Sequence, residues 1–203
     1  MAIYLHHGDL PPDLNLGPRI AMDTETQGLA LHRDRLCLAQ LSTGDGDSHL
    51  VQFTDRRPDA PNLKALLTDP ACLKIFHFAR FDVAALRAYL GVWTAPIWCT
   101  KIASRLVRTY TDRHGLASLC KELLGVDLSK AQQSSDWSRV PLSEAQQTYA
   151  ASDVAHLHAL QEILAAMLAR EGRTDLAQLC FEFVAHRARL DLEGWADVDI
   201  FGH

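Results

Sequence analysis

The chain has 203 residues, 48% of them hydrophobic, and a formal net charge of −5; that suits one domain with a sizeable core and excludes a protein that coats nucleic acid by bulk positive charge. The five cysteines, Cys37, Cys72, Cys99, Cys120 and Cys180, form no CxxC pair, which excludes a zinc ribbon and a disulfide framework. No apolar run reaches the length a membrane span requires, and "MAIYLHHGDLPPD" has no basic segment leading into an apolar stretch, so no signal peptide is expected and the expected compartment is the cytoplasm.

In chain order, "RIAMDTE" (19–25) is an apolar run bounded by Pro18 and Gly28 and reads as a buried strand. "RLCLAQLS" (35–42) alternates, "GDGDS" is a turn and "HLVQF" (49–53) follows as a third strand, so the three are expected as an antiparallel meander. "APNLKALLTD" is a short helix with Pro61 in its first turn, and "CLKIFHF" (72–78) a fourth strand. "RFDVAALRAYLG" has helical spacing and stops at Gly91; "TKIASRLVRTY" and "GLASLCKELLG" are further amphipathic helices. A polar loop, "DLSKAQQSSDWSRVP", precedes one long helix capped by Ser143 and running to Gly172, and a last helix (173–190) leads to the tail "DLEGWADVDIFGH". The expected architecture is α/β, a mixed sheet covered by helices.

Four carboxylates stand out within that pattern. Asp23 and Glu25 lie two apart at the end of the first of these strands, so alternation puts them on one face. Asp82 opens the helix after "CLKIFHF", and Asp153 lies four residues beyond Tyr149, one helical turn away. In an α/β sheet ligands collect where strands end and helices begin. Buried carboxylates need a positive partner, and an all-oxygen donor set suits Mg2+ or Mn2+; four carboxylates suit two ions, the arrangement for in-line attack on a phosphodiester. Tyr149 then orients the attacking water, because a phenol of ordinary pKa is a poor base. Each feature alone is common on ordinary strands and helices; their joint occurrence, in order, points to a site. His156 and His158, two apart on a helix, do not form a zinc pair.

The same residues carry a resemblance. "MDTET" (22–26), "HFARFDVAAL" (77–86) and "YAASDVAHL" (149–157) resemble the three motifs of the DEDDy branch of DnaQ-like 3'–5' exonucleases. The stretch through "SDW" (135–137) and "PLS" (141–143) is similar to the ribonuclease D group, over residues from about 19 to about 168. The short length, the "HFARFD" motif and the ending "LCFEFVAHRARLDLEGWADVDIFGH" resemble the compact nano-RNase C group. The resemblance implies a ribonuclease H-like mixed sheet and a single exonuclease domain over 1–203, without the RNA-binding HRDC domains of ribonuclease D proper.

It also implies roles. Asp23 would bridge two metal ions, Glu25 and Asp153 would complete the first site, Asp82 would serve the second, and Tyr149 would position the water. Gln27, Gly28, Leu29 and Leu31 would lie beside the terminal nucleotide, with Leu29 or Leu31 either a wedge between bases or a core side chain. Many relatives carry an Asn in a "HN" pair; here the pair is His77-Phe78, and Phe78 either stacks on a base or packs in its apolar strand. His32, Arg33 and Arg35 are candidate phosphate contacts or plain surface charges, Lys130 a candidate phosphate contact, and Trp137 a substrate contact or a packing anchor. The implied activity is metal-dependent hydrolysis of RNA from the 3' end to nucleoside 5'-monophosphates, favouring very short oligoribonucleotides and dinucleotides. A DNA-directed exonuclease and a non-catalytic nucleic-acid scaffold are the alternatives; retention of all four carboxylates and Tyr149 argues against the scaffold. The compact group assembles as homo-octamers, and Trp195 and Phe201 in the tail need a surface to dock on, so a homo-octamer is expected.

Overall fold

The computed structural model describes residues 2–129 and 131–203. Its centre is a six-stranded mixed sheet: β1 (Ile3–His7), β2 (Arg19–Thr26), β3 (Leu36–Ser42), β4 (Ser48–Gln52), β5 (Leu73–Phe76) and β6 (Ile97–Cys99), in the spatial order β1-β4-β3-β2-β5-β6. The meander of β2, β3 and β4 is present as expected, both pairings antiparallel, while β1 joins β4 and β5 joins β2 and β6 in parallel. β1 and β6 have no counterpart in the sequence reading: β6 is three residues long, too short for alternation to show, and β1 is only half-buried at the sheet edge.

The helices are α1 (Pro61–Thr68), α2 (Ala79–Leu90), α3 (Thr100–Val107), α4 (Leu116–Leu119), α5 (Glu144–Ala155), α6 (Leu157–Arg170) and α7 (Thr174–Leu190). Three expectations are corrected. The strand "CLKIFHF" ends at Phe76, because Phe78 turns into the left-handed region at φ 70° to start α2. The helix expected over "GLASLCKELLG" is one α-turn followed by a π-turn, Cys120–Leu124, closed by Gly125 at φ 71°. The single long helix is two, α5 and α6, broken at His156 (φ −108°, ψ −2°); neither Pro nor Gly marks the break, so periodicity runs through it unseen.

Alternation sorts the core onto two faces. Met22, Ala39, Leu41 and Val51 join the large cluster that α2, α6 and α7 complete. The alternate residues Leu38 and Leu50 form a smaller cluster with Trp137, Leu142 and Ala150, over which α5 lies. Asp23 and Glu25 share that second face, since they pair with Gln40 and Leu38 across the ladder.

Two buried cations fasten the frame. Arg108 is fully buried; its guanidinium bonds the Ser104 hydroxyl (3.0 Å), the Arg113 carbonyl (2.7 Å) and Glu122, holding the turn that leads to α4. The Lys74 ammonium donates to the carbonyls of Asp69 (2.7 Å), Cys72 (2.7 Å) and Ala95 (2.6 Å), which ties β5 to the segment entering β6. Burial brings its pKa down to about 8. Lys74→Ala leaves those carbonyls without their donor and opens a cavity; unfolding stability should fall by on the order of 3 kcal/mol in urea titration, against no change if water replaced the ammonium at no cost.

Candidate active site

The site is built at the C-terminal end of β2. Asp23 and Glu25 point to the face that α5 covers, and α5 brings Tyr149 and Asp153 over them one turn apart. One carboxylate oxygen from each of Asp23, Glu25 and Asp153 lies within 4.8 Å of the other two. The start of α5 is set by a capping box: the Ser143 hydroxyl accepts from the Gln146 N–H (3.2 Å) and the Gln146 side chain accepts from the Ser143 N–H (3.0 Å). The Gln146 amide also donates to the Ser135 hydroxyl and the Asp136 carbonyl, both at 2.9 Å, so the cap pins the preceding loop as well. Asp82 approaches from the other side, in the first turn of α2, where the Thr24 hydroxyl donates to it at 2.7 Å. Thr24 points away from its neighbours Asp23 and Glu25, and this anchoring role was readable in principle from the alternation.

Like charges dominate the electrostatics. Burial, then Asp82, Asp153 and Glu25, push the Asp23 carboxyl well above the usual carboxylate range. Glu25 is pushed up to about 9 by burial and by the charges of Asp153 and Asp82. Burial raises Asp82 and Asp153 each to about 7, opposed by the hydrogen bonds from Thr24 and Tyr149. Among the described residues none of the four is ion-paired with a Lys, Arg or His. Clustered oxygen donors with no protein cation to neutralise them fit a hard divalent ion. The Tyr149 phenol is raised by burial and by Asp153 beside it, so it stays protonated at working pH.

The three converging carboxylates and Tyr149 open into a cleft of about 370 Å3, also lined by His77, Phe78, Lys101, Ser129 and Gln133. His77 is pushed down to about 3 by burial and by Lys101, so its ring is neutral; its Nδ1 lies 2.8 Å from the Thr100 hydroxyl. Phe78 is 43% exposed and does not pack in a strand. It also walls a second cavity of about 780 Å3, with Leu29, Leu31 and His32.

The other expected contacts divide. Leu29 is 84% exposed and stands at that second cavity with Phe78. Leu31 packs against the core and its carbonyl accepts from Tyr89 (2.6 Å). Gln27 is exposed; Gly28 sits where an added Cβ would come 2.4 Å from Asp34, so its role is close packing. Arg33 and Arg35 are committed locally, to the Asp34 carboxylate (2.6 Å) and the Phe53 carbonyl (2.6 Å). Trp137 is 2% exposed with its ring 6.0 Å from that of Tyr149: it backs the tyrosine and offers substrate no face. Lys130 lies outside the described residues. Lys101 carried no signal in the sequence, where it is one cation on an amphipathic helix.

The 3'–5' exonuclease family profile matches residues 10–169. Ribonuclease D from Gluconacetobacter diazotrophicus is 38% identical over 160 residues, covering 78% of this chain and 40% of that protein; the chain thus spans about two-fifths of the length of this curated relative. Two solved structures from Brucella melitensis align over the whole chain: NrnC with bound Mg2+ (51% identity, TM-score 0.96, 100% of both chains) and NrnC bound to pGG (52%, TM-score 0.96, 100% of this chain and 99% of that one).

The repulsion in the site has a measurable sign. Carboxyls whose folded pKa is raised let the metal-free protein lose stability as pH climbs from about 4.5 towards 9, because the unfolded chain releases its protons first. A bound divalent ion reverses this. The melting temperature in EDTA should fall between about pH 5 and pH 9, and the increase produced by Mg2+ should grow over the same range; a Mg2+ effect that does not depend on pH would show that these carboxylates do not take the ion.

Proposed function

Because the chain belongs to the 3'–5' exonuclease family, in its ribonuclease D branch and with the ribonuclease H-like fold of that family, we propose that it is a metal-dependent 3'–5' exoribonuclease that trims very short RNA to nucleoside 5'-monophosphates. The convergence of Asp23, Glu25 and Asp153 within 4.8 Å, beneath Tyr149, carries the reading. The binding of pGG by the Brucella protein favours short RNA as the substrate class.

Asp23, Glu25 and Asp153 would hold one Mg2+ or Mn2+, and Asp23 with the Thr24-anchored Asp82 a second. When bound, such ions acidify a water and offset the charge that gathers on the phosphate under attack. The protein supplies position. With its proton directed at Asp153, the Tyr149 hydroxyl leaves its oxygen lone pairs to accept from a water and aim it. Its raised pKa assigns it orientation rather than proton abstraction. Trp137, packed behind the ring, keeps it there.

Two finer points belong to the same reading. The cytoplasm is the compartment we propose, in keeping with five free thiols. We also propose a homo-octamer. Trp195, Val198, Ile200 and Phe201 are exposed, Phe201 by 78%, and Phe201 lies 6.1 Å from Phe183 of α7, beside exposed Leu176 and Leu179. An apolar face of that kind marks an interface.

The deciding assay is hydrolysis of 5'-labelled RNA and DNA of two to twenty nucleotides with Mg2+ or Mn2+. Wild type should shorten RNA from the 3' end, most rapidly at the shortest lengths; Asp23→Asn or EDTA should abolish this, and activity persisting in EDTA would refute the metal reading. Tyr149→Phe should lower kcat by roughly a hundredfold with KM little changed; an unaltered kcat would leave the hydroxyl without a role. Light scattering tests assembly: the mass of eight chains is expected, truncation before Trp195 should reduce it, and a monomer at micromolar concentration would remove the octamer.

A further inference from the structure

Position 40 holds an amide where packing alone asks for an apolar side chain. Every residue of β3 is buried, and Gln40 is 0% exposed. On its face of the sheet it stands between Asp23 of β2 and Leu50 of β4, its direct partners across the two ladders, with Leu38 two residues before it on its own strand. Leu38 and Leu50 belong to the smaller apolar cluster. The side-chain carbonyl oxygen of Gln40, Oε1, is buried and has no hydrogen-bond partner among the described residues. A buried acceptor left in that state costs stability, and methionine would fill much the same space without that cost. The core therefore gives no reason for the amide.

The other half of the amide supplies one. Gln40 Nε2 donates to Asp23 Oδ2 at 3.5 Å, a long bond, and it is the one side-chain donor to Asp23 among the described residues. An ionised carboxylate only accepts, so the amide has to turn its nitrogen to Asp23 and its oxygen away. The contact and the orphaned oxygen thus follow from one placement. Asp23 stands among Asp82, Asp153 and Glu25, whose charges repel its own. Rotation of its side chain would relieve that repulsion and carry its oxygens away from the point where those of Glu25 and Asp153 converge. A lysine at position 40 would also hold the carboxylate, but as a competitor for the ion. A neutral donor holds it and leaves its charge available, as Thr24 does for Asp82 at 2.7 Å.

Building on the metal-dependent reading of these carboxylates, we infer that Gln40 is a positioning residue whose amide fixes the Asp23 carboxylate in the orientation that takes the divalent ion. It acts through Asp23, and its unpaired oxygen is the stability cost of that placement. Partners behind a metal ligand act in this way on the ligand's orientation and so on metal affinity.

The test sets metal affinity against stability. Gln40→Met removes the amide and keeps the length of the side chain; Leu50→Met, on the other side of position 40, is the packing control. In calorimetry with Mn2+, Gln40→Met should raise the dissociation constant roughly 10- to 100-fold, the usual loss when the partner behind a metal ligand is removed. The half-saturating Mg2+ for hydrolysis of a diribonucleotide should rise with it, and kcat should recover at saturating Mg2+. In EDTA the melting temperature of this variant should equal or exceed that of wild type, because the orphaned oxygen is gone. Leu50→Met should leave the Mn2+ affinity unchanged. Gln40→Asn draws the same amide back by one methylene and should show the same loss of affinity, which covers a methionine variant that does not fold. A Mn2+ affinity within about twofold of wild type in the folded variant overturns the inference. So does a melting temperature that falls in EDTA while the metal dependence stays the same, the behaviour of a purely structural glutamine. A wild type that binds no Mn2+ and hydrolyses nothing refutes the metal-dependent reading itself; a wild type that binds Mn2+ through Asp23, undisturbed by Gln40→Met, leaves that reading standing without Gln40.

Discussion

Four like charges held together are the constraint from which the architecture follows. Asp23, Glu25, Asp82 and Asp153 repel one another and lie largely out of water, so nothing in their own interaction keeps them in place. Position has to come from the backbone, and it comes from three separate supports: the end of β2, the first turn of α2 and the last turn of α5. Each support is fastened by neutral contacts that add no competing cation: Thr24 on Asp82, the Ser143–Gln146 cap at the head of α5, and Trp137 behind Tyr149. A lysine or arginine in any of these places would settle the repulsion and occupy the ion's place.

The sheet divides labour between its faces. The large cluster, on the side of Met22, Ala39, Leu41 and Val51, carries most of the buried apolar surface. The carboxylates sit on the other face, at the margin of the smaller cluster of Leu38, Leu50, Trp137 and Leu142. Burial of charge is costly, and here the cost falls on the face whose apolar packing contributes less, while the larger core carries the fold.

What the sequence made legible was periodic. Asp23 and Glu25 share a face because strands alternate, and Tyr149 and Asp153 share one because helices repeat every 3.6 residues; both relations held without knowledge of the fold. The junction of strand and helix likewise marked Asp82, which lies near Asp23 on the Thr24 hydroxyl, outside the cluster of the other three. Features set by tertiary contact or by a single residue's conformation were hidden. The three residues of β6 are too few to alternate, the break at His156 carries no Pro or Gly, and the left-handed turn at Phe78 falls on a residue type that seldom adopts it. Arg33 and Arg35 looked like free charge until their partners, Asp34 and the Phe53 carbonyl, were seen. Lys101 read as one cation on an amphipathic helix until its place over the Phe78 ring was seen.

The interruption at His156 has a mechanical consequence. Residues 144–170 as a single rod would span about 40 Å, and a small tilt anywhere along it would swing Tyr149 and Asp153 away from β2. The joint divides that rod. α5 rests on β2, β3 and β4, while α6 packs on α3, α7, β5 and the start of β2, where the Arg19 guanidinium donates to Gln161 (3.0 Å) and pairs with Glu162 (3.1 Å), and His158 clips its first turn to the Ser42 carbonyl at 3.1 Å. The joint lets α5 follow the sheet beneath the carboxylates while α6 turns to pack on α3. The alignment of Tyr149 and Asp153 over Asp23 and Glu25 is therefore set by the short α5, while α6 fastens the opposite end of β2.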